Sequence, residues 1–283
     1  MATYTEKLLS FLDASPVNYI AVRNVCDELL NNGFVQLHAE DAIKNLPEKF
    51  FITKNDSAVF AFHMGKKALS EVGFRMIAAH SDSPTFRIKP NAEMAGEGAL
   101  VRLNTEAYGG SILNTWFDRP LSLAGRVILR SDDALRPESR LLHIKRPLLV
   151  IPNLAIHFNR QVNDGVKLNK QKDMLPILGY VNDKLEANGL IMRVIADELK
   201  IEKETIIDFD LYLYDTTSAC TVGLNNEFVS SGRLDDLSMV HAGLEAFKAD
   251  DGQPDATKVL AVFDNEETGS GTKQGAGSNF FMS

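Results

Sequence analysis

The sequence predicts an α/β protein whose main domain is interrupted by a β-rich insertion, and three observations carry that prediction. The run Val259-Leu-Ala-Val-Phe263 shows no polar alternation, as expected of a strand covered on both faces in the middle of an α/β sheet. Phe74-Arg-Met-Ile-Ala-Ala79 reads as a second buried strand of the same kind. Between them the texture changes: residues 91–220 hold short strand-like segments and turns, with Gly109-Gly110 and Gly125, and few helical patterns. The residues able to do chemistry lie on the flanks of this stretch, so the main domain is read as two parts, 1–90 and 221–283, around an insertion at 91–220.

In chain order, Thr5 to Leu12 and Val17 to Leu30 repeat apolar residues at helical spacing, with Ile20, Ala21, Val25 and Leu29 on one face of the second helix. Pro16 suits that helix's entrance and Gly33 its stop. Phe50-Phe-Ile52 and Ala58-Val-Phe-Ala-Phe62 flank Lys54-Asn-Asp-Ser57, which predicts a hairpin. Within the insertion, strands are expected at Leu100–Leu103, Leu121–Leu129, Leu148–Ile151 and Ile206–Tyr214, with a helix over 183–199. A further helix follows Asp235-Asp236 and runs to about Ala249, with Leu237, Val240 and Leu244 on its sheet-facing side.

Bulk properties exclude several functions. The 283 residues are 45% hydrophobic, enough for a large core, and the net charge of −8 leaves no basic block to bind nucleic acid or an anionic membrane. The first residues lack a signal-peptide pattern and no apolar stretch approaches the ~20 residues that span a bilayer, so the cytoplasm is the expected compartment. Neither Cys26, in a helical apolar pattern, nor Cys220, in a loop, belongs to a metal or redox cysteine motif.

Chemistry concentrates where core segments end. The strand at 259–263 breaks into Asp264-Asn-Glu266-Glu267-Thr-Gly269, and two adjacent carboxylates at a strand's carboxyl end repel unless a cation relieves them or they lie in a solvated turn. His80 and Asp82 follow the strand at 74–79; the imidazole suits a metal ligand and the carboxylate suits its orienting partner. Asp235 and Asp236 stand at a helix entrance, where a carboxylate is either an N-cap or a site ligand, and the N-cap reading is preferred for Asp236. A metal pair needs histidine and acidic ligands from several strand ends and one free carboxylate to take a proton from water. The remaining histidines read as ordinary: His38 and His63 in surface-like surroundings, His143 in a basic turn and His241 inside a helix.

Four motifs carry a resemblance to a known family. Ala78-Ala-His80-Ser-Asp-Ser-Pro84, Gly109-Gly-Ser-Ile-Leu-Asn-Thr-Trp116-Phe-Asp-Arg-Pro-Leu-Ser-Leu-Ala-Gly125, Gly232-Arg-Leu-Asp-Asp-Leu237 and Phe263-Asp-Asn-Glu-Glu-Thr-Gly-Ser270 resemble the M18 metallopeptidases, the aspartyl aminopeptidases and their vacuolar relatives. The resemblance runs from Phe11 to Ala276. It implies a zinc-peptidase (phosphorylase/hydrolase-like) α/β/α sandwich with an inserted β-rich dimerisation domain, dimers assembling to a dodecamer, and peptide substrates that lose an N-terminal residue, often Asp or Glu. Carried over position by position, it makes His80 a ligand of one zinc, Asp235 the bridge between two zincs and Glu267 a ligand of the other. It makes Glu266 the general base, Asp82 the support of the histidine, and His157, in Leu154-Ala-Ile-His-Phe-Asn-Arg160, a histidine that reaches a neighbouring subunit's substrate.

The same resemblance implies that the family continues past Ser283, with one more acidic and one more histidine ligand; without them each zinc here would have two protein ligands, where catalytic zinc normally takes three. Cobalt and manganese suit the same nitrogen and oxygen donors as zinc. Two other readings compete: a glycoside hydrolase, for which adjacent glutamates are badly spaced, and a catalytically impaired or non-catalytic oligomeric shell of the same fold.

Overall fold

A computed structural model describes residues 2–38, 45–180, 189–249 and 252–279. The chain divides into two compact units, one formed by Met1–Ser83 with Ser218–Ser283, the other by Pro84–Thr217.

The first unit opens with two helices. α1 spans Tyr4–Ala14 and starts on a capping box, in which the Thr3 hydroxyl accepts the Glu6 N–H and the Glu6 carboxylate accepts the Thr3 N–H. α2 spans Asn18–Asn31, just after Pro16, and Gly33 follows it with a φ of +82°. A short β1 (Val35–Gln36) leads to the predicted hairpin, β2 (Lys49–Lys54) and β3 (Ala58–His63). Its turn places Asn55 and Asp56 both at φ +57°, the left-handed geometry these two residue types tolerate and a twisted hairpin requires. A one-turn α3 (Leu69–Val72) precedes β4 (Phe74–His80).

The second unit is the β-rich insertion. β5 (Thr85–Ala95), β6 (Leu100–Tyr108), β7 (Leu121–Leu129), β8 (Glu138–His143), β9 (Ile177–Tyr180) and β10 (Ile206–Asp215) form a six-stranded sheet in the order β8-β7-β10-β5-β6-β9. Leu103, Leu121, Leu123, Leu142 and Leu211 fill its core, and α4 (Leu190–Leu199) adds Ile191 and Ile195 to it. Residues 183–188 of the helix expected over 183–199 lie outside the described residues. The strand expected at Leu148–Ile151 is reduced to isolated bridges, Leu149 to Leu121, Val150 to Ile177 and Ile151 to Phe117; its neighbours pair with different strands, so no continuous ladder forms.

Returning to the first unit, β11 (Cys220–Val222) and β12 (Phe228–Ser230) pair as a small ribbon, followed by α5 (Leu234–Lys248) and β13 (Thr257–Phe263). The five-stranded sheet has the order β1-β2-β3-β13-β4, with β13 antiparallel to β3 and parallel to β4. All five residues from Val259 to Phe263 are buried, as their unbroken apolar run predicts. Leu260 and Val262 face the cluster formed with α1, α2 and α5, while Ala261 and Phe263 face Ala58 and Phe60 on the other side. Leu237, Val240 and Leu244 of α5 are buried as expected. At Gly243 a Cβ would stand 3.0 Å from Ile77 Cγ2 and 3.2 Å from Leu260 Cδ1, so the bare backbone lets α5 lie close on the sheet.

Two further expectations need correction. β4 is not a buried strand: Phe74, Met76 and Ile77 are 53%, 43% and 38% exposed, because β4 is the edge of its sheet and only Ala79 is enclosed. An apolar run does not tell an edge from a centre. His63 is not a surface histidine but 2% exposed, at the end of β3, which lies between β2 and β13 and pairs His63 with Lys49 and Lys258. Burial and the two nearby ammonium groups, acting against Glu48, push its pKa below the usual value.

Candidate metal centre

The parallel pairing of β4 with β13 brings the chemistry together. Their register sets His80 opposite Phe263, and the Ser81 N–H continues the ladder by donating to the Phe263 carbonyl at 2.9 Å. Both strands therefore release the chain side by side, His80-Ser-Asp82 from one and Asp264-Asn-Glu266-Glu267 from the other, at the carboxyl edge where α/β sheets build sites. Ser81 fixes the exit further, its hydroxyl donating to the carbonyl of Ser57 at 2.9 Å.

Asp82 ties the two segments. Its carboxylate is 2% exposed and accepts the backbone N–H of Glu266 on Oδ1 at 3.2 Å and that of Glu267 on Oδ2 at 3.1 Å. The same Oδ1 stands 3.3 Å from His80 Nδ1, which also lies 3.0 Å from the Asp82 carbonyl. With Nδ1 donating to these oxygens, Nε2 is directed away from Asp82. That nitrogen faces carboxylates: Asp235 Oδ1 at 3.4 Å, Glu266 Oε2 at 3.7 Å and Asp236 Oδ2 at 3.9 Å. Burial pulls the His80 pKa down, but Asp82 and Asp236 outweigh it and hold the group up at about 9. Burial raises the Glu267 pKa, and Asp82, Asp235 and Glu266 raise it further against the opposing pull of His80.

The aspartate pair does not cap α5. The helix is entered from Arg233 at φ +63°, and Asp235 and Asp236 both have non-helical dihedral angles. Their peptide bond is cis. Asp235 is 84% exposed on its side chain, whereas Asp236 turns toward β4 and accepts the backbone N–H of His80 at 3.0 Å. The N-cap reading of Asp236 is therefore corrected: its carboxylate satisfies the strand-end amide of His80, a pairing across 156 residues that no local pattern announces. Glu266 and Glu267 occupy a 3-10 turn, Glu266–Thr268, between Asn265 and Gly269, both in the left-handed region at φ +60° and +94°.

Among the described residues, two triads place one ligand atom from each member within 4.8 Å of the others: His80 with Glu266 and Glu267, and His80 with Asp235 and Asp236. One imidazole and carboxylate oxygens are the donors zinc takes in peptidase-like sites, so the residues fit that ion. Five of the six sequence-selected residues, His80, Asp82, Asp235, Glu266 and Glu267, converge here; Asp236 joins them, and Glu266 stands among the donors beside its neighbour. The sixth, His157, lies in the other unit, exposed on a turn-rich segment between Ile156 and Phe158, which are 52% and 82% exposed.

The family described as "Aminopeptidase I zinc metalloprotease (M18)" matches residues 11–283. The chain belongs to the M18 family. It is 54% identical over 278 residues to "Probable M18 family aminopeptidase 2" of Clostridium acetobutylicum, an alignment that covers 98% of this chain and 64% of that relative. This M18 chain thus spans about two thirds of the length of the curated relatives it matches. Among solved structures it resembles Ape4 in the cryo-EM complex of Ape4 and Nbr1, with a TM-score of 0.92 and 35% identity over 99% of this chain and 57% of that one. It also resembles the mApe1 dodecamer of S. cerevisiae, with a TM-score of 0.81 and 25% identity over 95% of this chain and 62% of that one. The α/β peptidase fold with a β-rich insertion is shared with these M18 structures, and zinc is the metal the family's description carries. No described helix is long and apolar enough to cross a membrane.

Proposed function

We propose that this chain carries the metal centre of a binuclear zinc aminopeptidase that releases N-terminal, preferentially acidic, residues from peptides. The observation that carries the reading is the convergence on His80 Nε2 of three carboxylates from two places, Asp235 and Asp236 at the α5 entrance and Glu266 in the turn after β13, with Asp82 orienting the ring from behind. His80, Asp235 and Glu267 would hold the metals, Asp235 in the role the family resemblance gives it. Zinc, when bound, supplies a Lewis acid for the scissile carbonyl and for water.

The chain's own residues do the rest. Asp82 holds Nδ1 of His80 as a donor and turns Nε2 toward the other carboxylates, where zinc would take the place of its proton, and by accepting two backbone N–H groups it sets where both glutamate side chains begin. Glu266, 57% exposed on its side chain, can accept a proton from water and return it to the leaving amine, which a buried, fully paired carboxylate could not do. His157 would act from a second copy of the chain on that copy's neighbour, within a dodecamer built through the insertion; the exposed apolar side chains of Ile156 and Phe158 beside it support a contact there.

Zinc stoichiometry of the purified chain, with hydrolysis of an Asp-linked chromogenic substrate before and after chelation, tests this. Two bound zincs and chelator-sensitive release of aspartate are expected; metal-free hydrolysis would sink the proposal. One observation favours the impaired-piece reading as well: both triads draw on the same imidazole, so the second metal would rest on carboxylates alone. Weak zinc binding with slow turnover is its signature.

A further inference from the structure

Behind the glutamate turn lies a polar contact that the metal chemistry does not use. Asp264, the residue that ends β13, is 1% exposed, and Asn18, the first residue of α2, is 6% exposed. The Asn18 amide donates from Nδ2 to Asp264 Oδ1 at 2.9 Å, and the Asn265 N–H donates to the same oxygen at 2.8 Å. Asp264 is in neither metal-binding triad. A carboxylate at this depth is tolerated only where donors replace its water, and one of those donors comes from 246 residues away.

The next residue is held as firmly. Asn265 stands at φ +60°, and its side-chain oxygen accepts Thr272 Oγ1 at 2.7 Å and Gln274 Nε2 at 2.9 Å. Its carbonyl accepts the Ser270 N–H at 2.8 Å. Asp82 then receives the N–H groups of Glu266 and Glu267. The turn is thus fastened to β4 on one side by Asp82 and to α2 on the other by Asp264.

We propose that Asn18 and Asp264 are a positioning pair, a buried latch that sets the height and direction of the Glu266–Glu267 turn for metal binding. The proposal rests on the metallo-aminopeptidase reading for its consequence, not for its geometry. Asn18→Leu removes the donor that α2 supplies to Asp264 and leaves the Asn265 N–H in place; N18D/D264N exchanges acid and amide and restores one donor facing one acceptor.

On the full chain without metal, hydrogen exchange at the amides of Glu266 to Thr268 reads the latch directly. Asn18→Leu is expected to speed that exchange about tenfold and to weaken zinc about tenfold in direct titration, the loss that outer-sphere partners of a metal site produce. The exchanged pair is expected to recover both. Asn24→Ala, which removes a half-buried amide from the middle of α2 bonded to the Ala14 carbonyl and Ser15 hydroxyl, controls for mere structural damage and should move neither. Unchanged exchange in Asn18→Leu, or the same loosening in Asn24→Ala, overturns the latch. Should Asn18→Leu fail to fold, the exchanged pair decides: parent-like exchange at the turn upholds the proposal, and a loosened turn or an unfolded chain overturns it. If the parent chain binds no zinc, the metal reading fails while the exchange measurement still decides the latch.

Discussion

The backbone N–H of Glu267 donates to Oδ2 of Asp82 at 3.1 Å, while the other oxygen of that carboxylate faces His80 Nδ1 at 3.3 Å. One buried acid therefore sets both the imidazole and the turn of two glutamates, and removing it should disturb donors on both strands at once. Asp82→Ala is expected to weaken zinc about 10- to 100-fold, and Asp82→Asn nearly as much, because an amide cannot accept on both atoms. Isothermal titration of each variant with zinc checks this; parent-like affinity in Asp82→Ala would contradict it.

His80 belongs to both triads, so its loss should differ in kind from the loss of one acid. His80→Ala is expected to abolish all tightly held zinc, whereas Glu267→Gln removes only part. The raised pKa of about 9 also means that zinc must displace a proton at neutral pH. Apparent affinity should then rise with pH by about tenfold per unit until pH 9. Metal analysis and titrations between pH 6 and about pH 9 report both effects.

Acid stability should depend on Glu245. Its carboxylate stands 2.7 Å from Lys7 Nζ and 2.6 Å from Lys248 Nζ, linking α1 to α5. Burial works to raise its pKa, but the two ammonium groups outweigh this and bring it from the usual 4.5 to about 2. A carboxyl with a depressed folded-state pKa contributes its stability in full above 4.5, and that contribution is lost as pH falls toward 2. With Lys7 half exposed, the contribution is on the order of 1–2 kcal/mol. Urea midpoints of the parent and of Glu245→Gln should differ at pH 6 and converge only as the pH approaches about 2.

The two cysteines should react differently. Cys26 is buried in the α2 core, and burial with the neighbouring Asp27 charge pushes its thiol up to about 12, while Cys220 is exposed on β11. Iodoacetamide is expected to add one label per folded chain, at Cys220, and a second only after denaturation, as intact mass would show.

Local chemistry determined much of what the sequence made legible. The Asn55-Asp56 turn, the unbroken Val259–Phe263 run and the Leu237, Val240, Leu244 stripe each declare their structure, because turn dihedrals and the 2.0 and 3.6 residue periods are properties of neighbours in the chain. Strand-end positions likewise marked His80 and the glutamates as candidates, and the M18 motifs supplied roles for them. Tertiary structure alone decided the rest. Whether the apolar Phe74–Ala79 run lies at the centre or the edge depends on sheet order, which no local period encodes. Asp236 leaving the helix entrance for the His80 amide, and Asn18 meeting Asp264, depend on the register of β4 against β13 and on how α2 and α5 pack in that core. A buried polar group takes whatever donor the finished fold delivers, and here those donors come from 156 and 246 residues away.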